Sequence, residues 1–405
     1  MSTEGLTITK TGEQGAFGGE LLTVNFGPHH PSTHGVLRLL LELDGEIVVD
    51  ARPDIGFLHT GIEKSMEYRT FHQAITLTDR IDYLSPYSNN LAYVNAVETL
   101  FGIGAPPRAS WLRVLFAELH RIGSHLVWLG TTAIDLAASS VLIYTFRERE
   151  EILNLMEQLS GVRMMTSFIR IGGLPADVPS GFLDGVGRFL ERMTERLPEY
   201  DDLLQDNPIF KARTVGIGRI SAADAVARGM TGANLRATGV AYDVRRAFPY
   251  EIYADLAFDI PTETAGDSYA RYRVRRREIA ESIRICRQVL ERLPEGPIRI
   301  DDPLIAYPSR DKIHSSMESL IHHYKIATEG PIPPPGEAYA AVESPRGEYG
   351  VHVVANGTNL PQRVRVRAPS FASLQALPLL VRGHMVADCV AALASIDFVL
   401  GEVDR

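Results

Sequence analysis

Cysteine is scarce in this chain. Cys286 and Cys389 are the only two in 405 residues, and they form no Cys-x-x-Cys pair. That argues against a disulfide framework, a structural zinc site, or an iron–sulfur cluster held by this chain alone. Both fall in apolar helical patterns and read as buried core thiols. Excess positive charge is also lacking. A net charge of −9 disfavours non-specific nucleic-acid binding, which needs a basic surface, so no nucleic-acid partner is expected. Residues 1–20 are polar and Gly-rich without an apolar segment, so no signal peptide is expected. A cytosolic location follows, with attachment to a membrane complex left open. Nucleotide motifs are missing too. Gly216-Ile217-Gly218 lacks the third glycine of a dinucleotide fingerprint, and neither a phosphate loop nor a Gly-x-Ser-x-Gly elbow occurs.

Long apolar runs are equally rare, with one exception. Residues 126–146 carry a single charged residue, Asp135. The length suits a bilayer helix. However, Thr131, Thr132, Ser139 and Ser140 are polar, and a mid-helix Asp costs about 2.5–3.5 kcal/mol to insert. The expectation is therefore a helix buried in a large soluble core, with Asp135 a buried carboxylate that needs a partner.

The chain exceeds the size at which a single core keeps growing, so several subdomains are expected. Residues 1–20 read as a flexible N-terminus. Residues 21–60 read as a β subdomain, with a hairpin turn at Asp44-Gly45. Residues 61–204 read as a helical bundle. Its best helix opens at Pro106-Pro107 and runs through Trp111, Val114, Leu115, Glu118, Leu119, Ile122 and His125. Another helix is expected over 182–197, stopped by Pro198. Residues 205–330 read as an irregular region and a long helix over 267–293. Arg271, Arg273, Arg275, Arg276 and Arg277 on that helix are expected to form a solvated face, or else an anionic partner's docking surface. Residues 331–405 open on the stiff Ile332-Pro333-Pro334-Pro335 connector and continue as a β/α subdomain, with Arg346-Gly347 in a turn between strands. The fold class is α+β, a central helical bundle with small flanking β subdomains.

Three spots carry chemistry. Phe26-Gly27-Pro28-His29-His30-Pro31-Ser32-Thr33-His34-Gly35 joins two apolar runs. Pro31 has no amide hydrogen and biases His30 towards extended geometry, so the segment is a turn rather than a helix. Such a turn can hold an imidazole for proton chemistry near neutral pH, or can simply be a His-rich hairpin loop. His30 and His34 lack nearby acidic or Cys ligands, so no metal is expected there. Thr78-Asp79-Arg80-Ile81-Asp82-Tyr83-Leu84 precedes Pro86. Tyr83 beside this loop reads as a ligand-facing phenol or as a core tyrosine. His322-His323-Tyr324 lies on a short amphipathic helix, where packing is the default reading.

These segments resemble a known family. The His-bearing turn, the Asp79-to-Leu84 stretch and the ending Ile396-Asp397-Phe398-Val399-Leu400-Gly401-Glu402-Val403-Asp404-Arg405 are similar to the quinone-reducing D subunit (49-kDa type) of respiratory complex I. Further ordered matches are Leu58-His59-Thr60-Gly61-Ile62-Glu63-Lys64, Arg113-Val114-Leu115-Phe116-Ala117-Glu118-Leu119, Ile169-Arg170-Ile171-Gly172-Gly173, Met317-Glu318-Ser319-Leu320-Ile321-His322-His323-Tyr324-Lys325 and Arg367-Ala368-Pro369-Ser370-Phe371. The resemblance spans about residue 21 to the end.

The family is itself similar to the large subunit of nickel–iron hydrogenases, which binds its metal through two Cys-x-x-Cys pairs. The corresponding stretches here, 58–64 and 396–403, contain no cysteine. The resemblance therefore implies a cavity without metal, reused for a quinone headgroup. It implies His34 and Tyr83 as the quinone-carbonyl partners and Asp135 as the acid paired with His34. It places Arg80 facing an iron–sulfur cluster of a neighbouring subunit. Where family members commonly read Gly-x-Arg-x-His, this chain has Gly161-Val162-Arg163-Met164-Met165. Met165 thus stands for a histidine linked to the pH dependence of that cluster.

Implied partners are the iron–sulfur B subunit, the C and I subunits and the membrane H subunit. FMN and the iron–sulfur clusters sit in partner subunits, and menaquinone or ubiquinone is the substrate. The implied location is peripheral, on the cytoplasmic face of the cell membrane, in the hydrophilic arm of a proton-translocating enzyme. A related hydrogenase-like subunit of another membrane-bound redox complex is the alternative.

Overall fold

The computed structural model of the protein describes residues 7–14, 20–27 and 36–405. His34 lies outside these residues. An antiparallel sheet opens the chain in the order β1 (Thr7–Gln14), β2 (Glu20–Phe26), β3 (Arg38–Asp44), β4 (Ile47–Asp54). β1 extends this sheet into the stretch expected to be flexible. Alternation sets the buried face. Leu39, Leu41 and Leu43 are buried while Arg38, Leu40 and Glu42 between them are only partly covered. Gly45, with φ 64°, makes the expected hairpin turn.

Helices follow: α1 (Ile62–Met66), α2 (Phe71–Thr78), α3 (Pro86–Phe101), α4 (Pro107–Asp135), α5 (Ser139–Ser160) and α6 (Phe182–Tyr200). Four short helices come next: α7 (Pro208–Thr214), α8 (Ala222–Ala227), α9 (Gly232–Arg236) and α10 (Val244–Ala247). The long α11 (Ser268–Arg292) is capped by the Asp267 carboxylate, which accepts from the Ala270 amide. After it come α12 (Arg310–Ser315) and α13 (Met317–Thr328). A second antiparallel sheet pairs β5 (Gly336–Ser344), β6 (Gly347–Ala355) and β7 (Arg363–Arg367). The chain closes with α14 (Pro369–Gln375), α15 (Leu377–Val381), α16 (Val386–Ser395) and α17 (Leu400–Asp404). This is the α+β class expected.

The main core joins α3, α4, α5, α6 and α11 to the inner face of the β5–β7 sheet. A second core forms between the N-terminal sheet and the C-terminal helices. There Leu39, Leu41 and Val48 pack with Leu377, Leu393, Ile396 and Val403. The N-terminal sheet thus has no core of its own, and the two ends of the chain are one packing unit.

Three expectations need correction. Residues 126–146 are not one helix. α4 ends at Asp135 and α5 starts at Ser139, with Ala137 between them at φ 67°. Asp135 is accordingly half-buried at a helix C-terminus, not fully buried mid-helix. Among the described residues, no helix is long and apolar enough to cross a membrane. Pro198 does not stop α6, which runs to Tyr200 and widens into a π turn at Asp201–Gln205. Proline's fixed φ suits a helix, and near the end of one its missing N–H removes a single bond.

Two of the five arginines of α11 do not belong to a solvated face, whereas Arg273, Arg276 and Arg277 stay partly exposed. Arg271 and Arg275 are fully buried. Arg275 donates to the Ser395 carbonyl at 2.7 Å and stacks over Trp128 at 4.4 Å. Beside them runs a buried ionic network that crosses α4, α9, α11 and β5. Arg236 bridges Glu278 at 2.6 Å and Glu343 at 2.7 Å. Glu118 accepts from Arg121, Arg245, Tyr253 and Ser282. Charges out of water persist only when paired and hydrogen-bonded in this way. The groups that cover Arg271 and Arg275 stand far away in sequence, among them Gly218, Asn234 and Ser395.

Three buried histidines, His72, His120 and His125, give this core an acid sensitivity. Burial holds His72 down to about 4 and His120 down to about 3, although backbone bonds to Ile305 and Leu84 oppose it. The unfolded chain takes up these protons first as pH falls below about 6.5. Each histidine therefore removes about 1.4 kcal/mol of stability per pH unit between pH 6.5 and its folded value. Unfolding midpoints measured from pH 7 to 4.5 should fall less steeply in His120→Gln than in the unaltered protein. Equal slopes would contradict a neutral His120.

Candidate functional site

Tyr83 sits in the loop 79–85 between α2 and α3, and the local sequence ties that loop down. Thr70 caps α2 in a reciprocal box with Gln73, and Pro86 opens α3. From α3, Asn90 donates to the Asp79 carboxylate at 2.7 Å, and Asn89 donates to the Thr78 carbonyl at 3.0 Å. Within the loop, the Leu84 amide donates to the Asp82 carboxylate at 3.1 Å. Ser167 donates its hydroxyl to Asp79. The loop therefore has little freedom, as a positioned donor requires.

Below it lies a cluster of buried charge. Arg346, fully buried in the β5–β6 turn, pairs with Asp82 at 2.6 Å and Asp397 at 3.3 Å, and donates to Ser124 of α4 at 3.1 Å. Asp397 is also 3.9 Å from Arg275. Burial raises the phenol pKa of half-buried Tyr83. Arg346 opposes the rise, and Asp82 and Asp397 add to it. The phenol therefore keeps its proton at neutral pH and is a hydrogen-bond and proton donor.

The C-terminus seals this arrangement. Asp404 accepts from the amides of Gly56 at 2.9 Å and Leu58 at 2.7 Å, and Arg405 pairs with Glu63 at 3.1 Å. The cysteine-free stretch 58–64 is thus tied to Asp404 and Arg405, the residues that directly follow the other one, 396–403. Among the described residues, no group of three or more His, Cys, Asp or Glu could hold a metal ion.

Arg80 and Met165 are both exposed. They flank the Asp79–Ser167 bond, so the loops that carry them meet there. Met165 at φ 55°, Ser167 at φ 45° and Asp397 at φ 51° are left-handed without being glycine, a conformation that costs about 1–2 kcal/mol each. Such strain clusters at functional sites. Asp135 lies on α4 eleven residues beyond Ser124, about 16 Å along the axis at 1.5 Å per residue. It belongs to the far edge of this region, not to the Arg346 cluster.

Arg346, Asp397 and Glu402 were not singled out from sequence. Arg346 read as a turn residue, and both acids lay within a stretch noted only for its resemblance. The available signal was an arginine in a tight turn and carboxylates in an apolar run.

Close packing at Gly401 seats the Tyr83 loop. A Cβ there would lie 2.8 Å from the Ile81 carbonyl oxygen and 3.0 Å from that of Arg80. Gly401→Ala should therefore cost about 1–3 kcal/mol by overpacking. Gly104→Ala, where nothing lies within 4 Å, should stay within about 0.5 kcal/mol. Denaturant unfolding of both variants checks this, and equal stabilities would refute the tight seat.

Comparison with known proteins agrees with this architecture. The family model of the respiratory-chain NADH dehydrogenase 49-kDa subunit matches residues 135–405. The chain is 58% identical over 389 residues to a D subunit of the NADH-quinone oxidoreductase of a Roseiflexus species, covering 95% of this chain and 93% of that one. It is 57% identical to the equivalent D subunit of Chloroflexus aurantiacus, covering 95% of each. It is 53% identical to that of Koribacter versatilis, covering 95% of this chain and 96% of the relative. The chain belongs to the 49-kDa subunit family of respiratory-chain NADH dehydrogenase, the D subunits of the NADH:quinone oxidoreductase known as complex I.

Proposed function

We propose that this subunit forms the quinone-reduction site of its complex, with Tyr83, His34 and Asp135 as the working residues. The observation that carries the reading is the protonated phenol of Tyr83 on a tied loop above buried charge. A quinone that takes up two electrons also takes up two protons, one at each carbonyl oxygen. Tyr83 donates to one oxygen and His34 to the other. Asp135 ends a helix, where its charge adds to the negative end of the dipole, an arrangement that disfavours it by about 0.3–1 kcal/mol. A cationic imidazole is the counter-group this position favours, which supports the pairing of Asp135 with His34.

Electrons reach the quinone from an iron–sulfur cluster of the B subunit, docked over Arg80 and Met165. Their exposure where the strained Met165–Ser167 loop meets the Tyr83 loop supports a partner there. The C and I subunits and the membrane H subunit complete the surroundings of this chain, and FMN upstream receives the electrons of NADH. In this reading the subunit is peripheral on the cytoplasmic face of the cell membrane, and charge movement at Asp135 couples reduction of menaquinone or ubiquinone to proton translocation.

Tyr83→Phe should slow quinone reduction by about 10²–10⁴-fold, the usual loss of one positioned acid. NADH oxidation by an artificial acceptor that bypasses the site should persist. Equal losses in both assays would refute the role at the quinone. Met165 has no proton to exchange, so the adjacent cluster should titrate with a potential independent of pH between 6 and 8. Met165→His should introduce a slope of up to about 59 mV per pH unit, the one-electron limit. Redox titration followed by electron paramagnetic resonance decides. A full slope in the unaltered complex would sink the assignment.

A further inference from the structure

Glu402 is fully buried in α17, directly beyond Gly401, which packs on the Tyr83 loop. One of its oxygens accepts from the Ser370 amide at 3.1 Å. The other, Oε1, is buried with no hydrogen-bond partner among the described residues. No guanidinium among the described residues pairs with it. Arg346 is taken by Asp82 and Asp397, Arg275 lies near Asp397, and Arg405 pairs with Glu63.

Every element packed around Glu402 contributes a group that bears on its charge. The Tyr83 loop offers Asp82, and the β5–β6 turn offers Arg346. β6 offers Tyr349, whose buried hydroxyl also lacks a partner among the described residues and which feels Glu402, Asp82, Arg405 and Glu63. Ser370 of α14 donates to it, and Asp397 precedes it on its own segment. Three buried carboxyls, Asp82, Asp397 and Glu402, thus meet two guanidiniums, Arg346 and Arg275. Asp82 and Asp397 have the ion pairs, which leaves Glu402 without a guanidinium of its own.

We propose that Glu402 is a positioning residue for Tyr83: it carries the proton that balances the cluster under the loop, and its ionisation weakens the phenol as a donor. The route runs through Arg346. That guanidinium favours ionisation of Tyr83, whereas Asp82 and Asp397 oppose it. An ionised Glu402 draws on the same guanidinium and adds negative charge beside Asp82. The phenol then holds its proton more tightly. Burial, followed by the charge of Asp82, pushes the Glu402 carboxyl up to about 7, while Arg346 and Ser370 pull against it. The switch therefore lies in the physiological range. The proposal rests on the reading of Tyr83 as the quinone's donor.

The test uses the intact complex. In the unaltered enzyme, quinone reduction should fall by up to tenfold per pH unit above about pH 7, the limit for one required proton. Glu402→Gln is a neutral stand-in for the protonated acid. It should keep the low-pH rate within about threefold and lose that alkaline decline. Glu402→Asp should restore a decline at a shifted pH. An unchanged decline in Glu402→Gln would overturn the proposal, as would an equal loss at every pH. Infrared titration gives a reading independent of activity. A protonated-carboxyl band should disappear near pH 7 in the unaltered complex and be absent from Glu402→Gln. If Glu402→Gln fails to assemble, that band must still titrate in the unaltered complex and shift in Glu402→Asp, or the proposal falls. If the band titrates as expected while Tyr83→Phe leaves quinone reduction intact, the fault lies with the reading of Tyr83 and not with the proton on Glu402.

Discussion

Arg346 is a guanidinium with no access to water, and the region around Tyr83 depends on its being paired. It joins three segments far apart in sequence: the loop after α2 through Asp82, α4 through Ser124, and the C-terminal stretch through Asp397. A buried charge stripped of one partner typically costs about 3–5 kcal/mol. None of these segments can drift without leaving a charge exposed to a low-dielectric interior. The Tyr83 loop is thereby held by electrostatics as well as by the Asn89 and Asn90 amides of α3. A tyrosine in an ordinary surface loop would lack both restraints.

The same logic extends through the interior. The Arg346 cluster touches α11 through Arg275, and α11 carries Glu278, which joins Arg236 and His125. From there Glu343, Asp243, Arg245 and Glu118 continue the chain of pairs. A core laid out this way is poor evidence of high stability, since apolar residues of like volume often serve as well or better. What it supplies is geometry: alternating fixed charges that link the Tyr83 loop with the centre of the bundle. Such an array would serve the quinone reduction proposed for this subunit, because each fixed charge biases where a proton rests.

The strain in the backbone follows the same map. Asp397, Met165 and Ser167 adopt left-handed conformations around the Tyr83 loop, and Ala137 does so just after Asp135. Packing that tolerates these costs at several neighbouring points is over-determined there. The close approach of Gly401 to the loop carbonyls belongs to the same arrangement. The C-terminal residues Asp404 and Arg405, tied to Leu58 and Glu63, pack beside it.

Much of this was legible in the residues. Prolines and three-and-four spacing marked α4, an apolar run marked β3, alternation marked β5–β7, and Asp44-Gly45 marked a hairpin, because local backbone preferences and side-chain period act over a few residues. The ordered motifs around Tyr83 and Arg80 pointed to a family, and it is the one the chain belongs to. Other features were decided only by tertiary structure. Arg271 and Arg275 of α11 looked solvated because their partners, Asp397, Ser395 and Asn234, stand far away in sequence. The apolar run over 126–146 looked continuous, yet it breaks at Ala137, which no local residue type announces. Glu402 looked like one acid among many. Its burial beside Asp82, with Arg346 already taken, arises only when residues 82, 346 and 402 meet. The sequence by itself determined which segments are helix, strand and turn, and which family they compose. The charge balance under Tyr83 belongs to the fold, because electrostatic energy depends on separation in space and burial, and neither can be read from order along a chain.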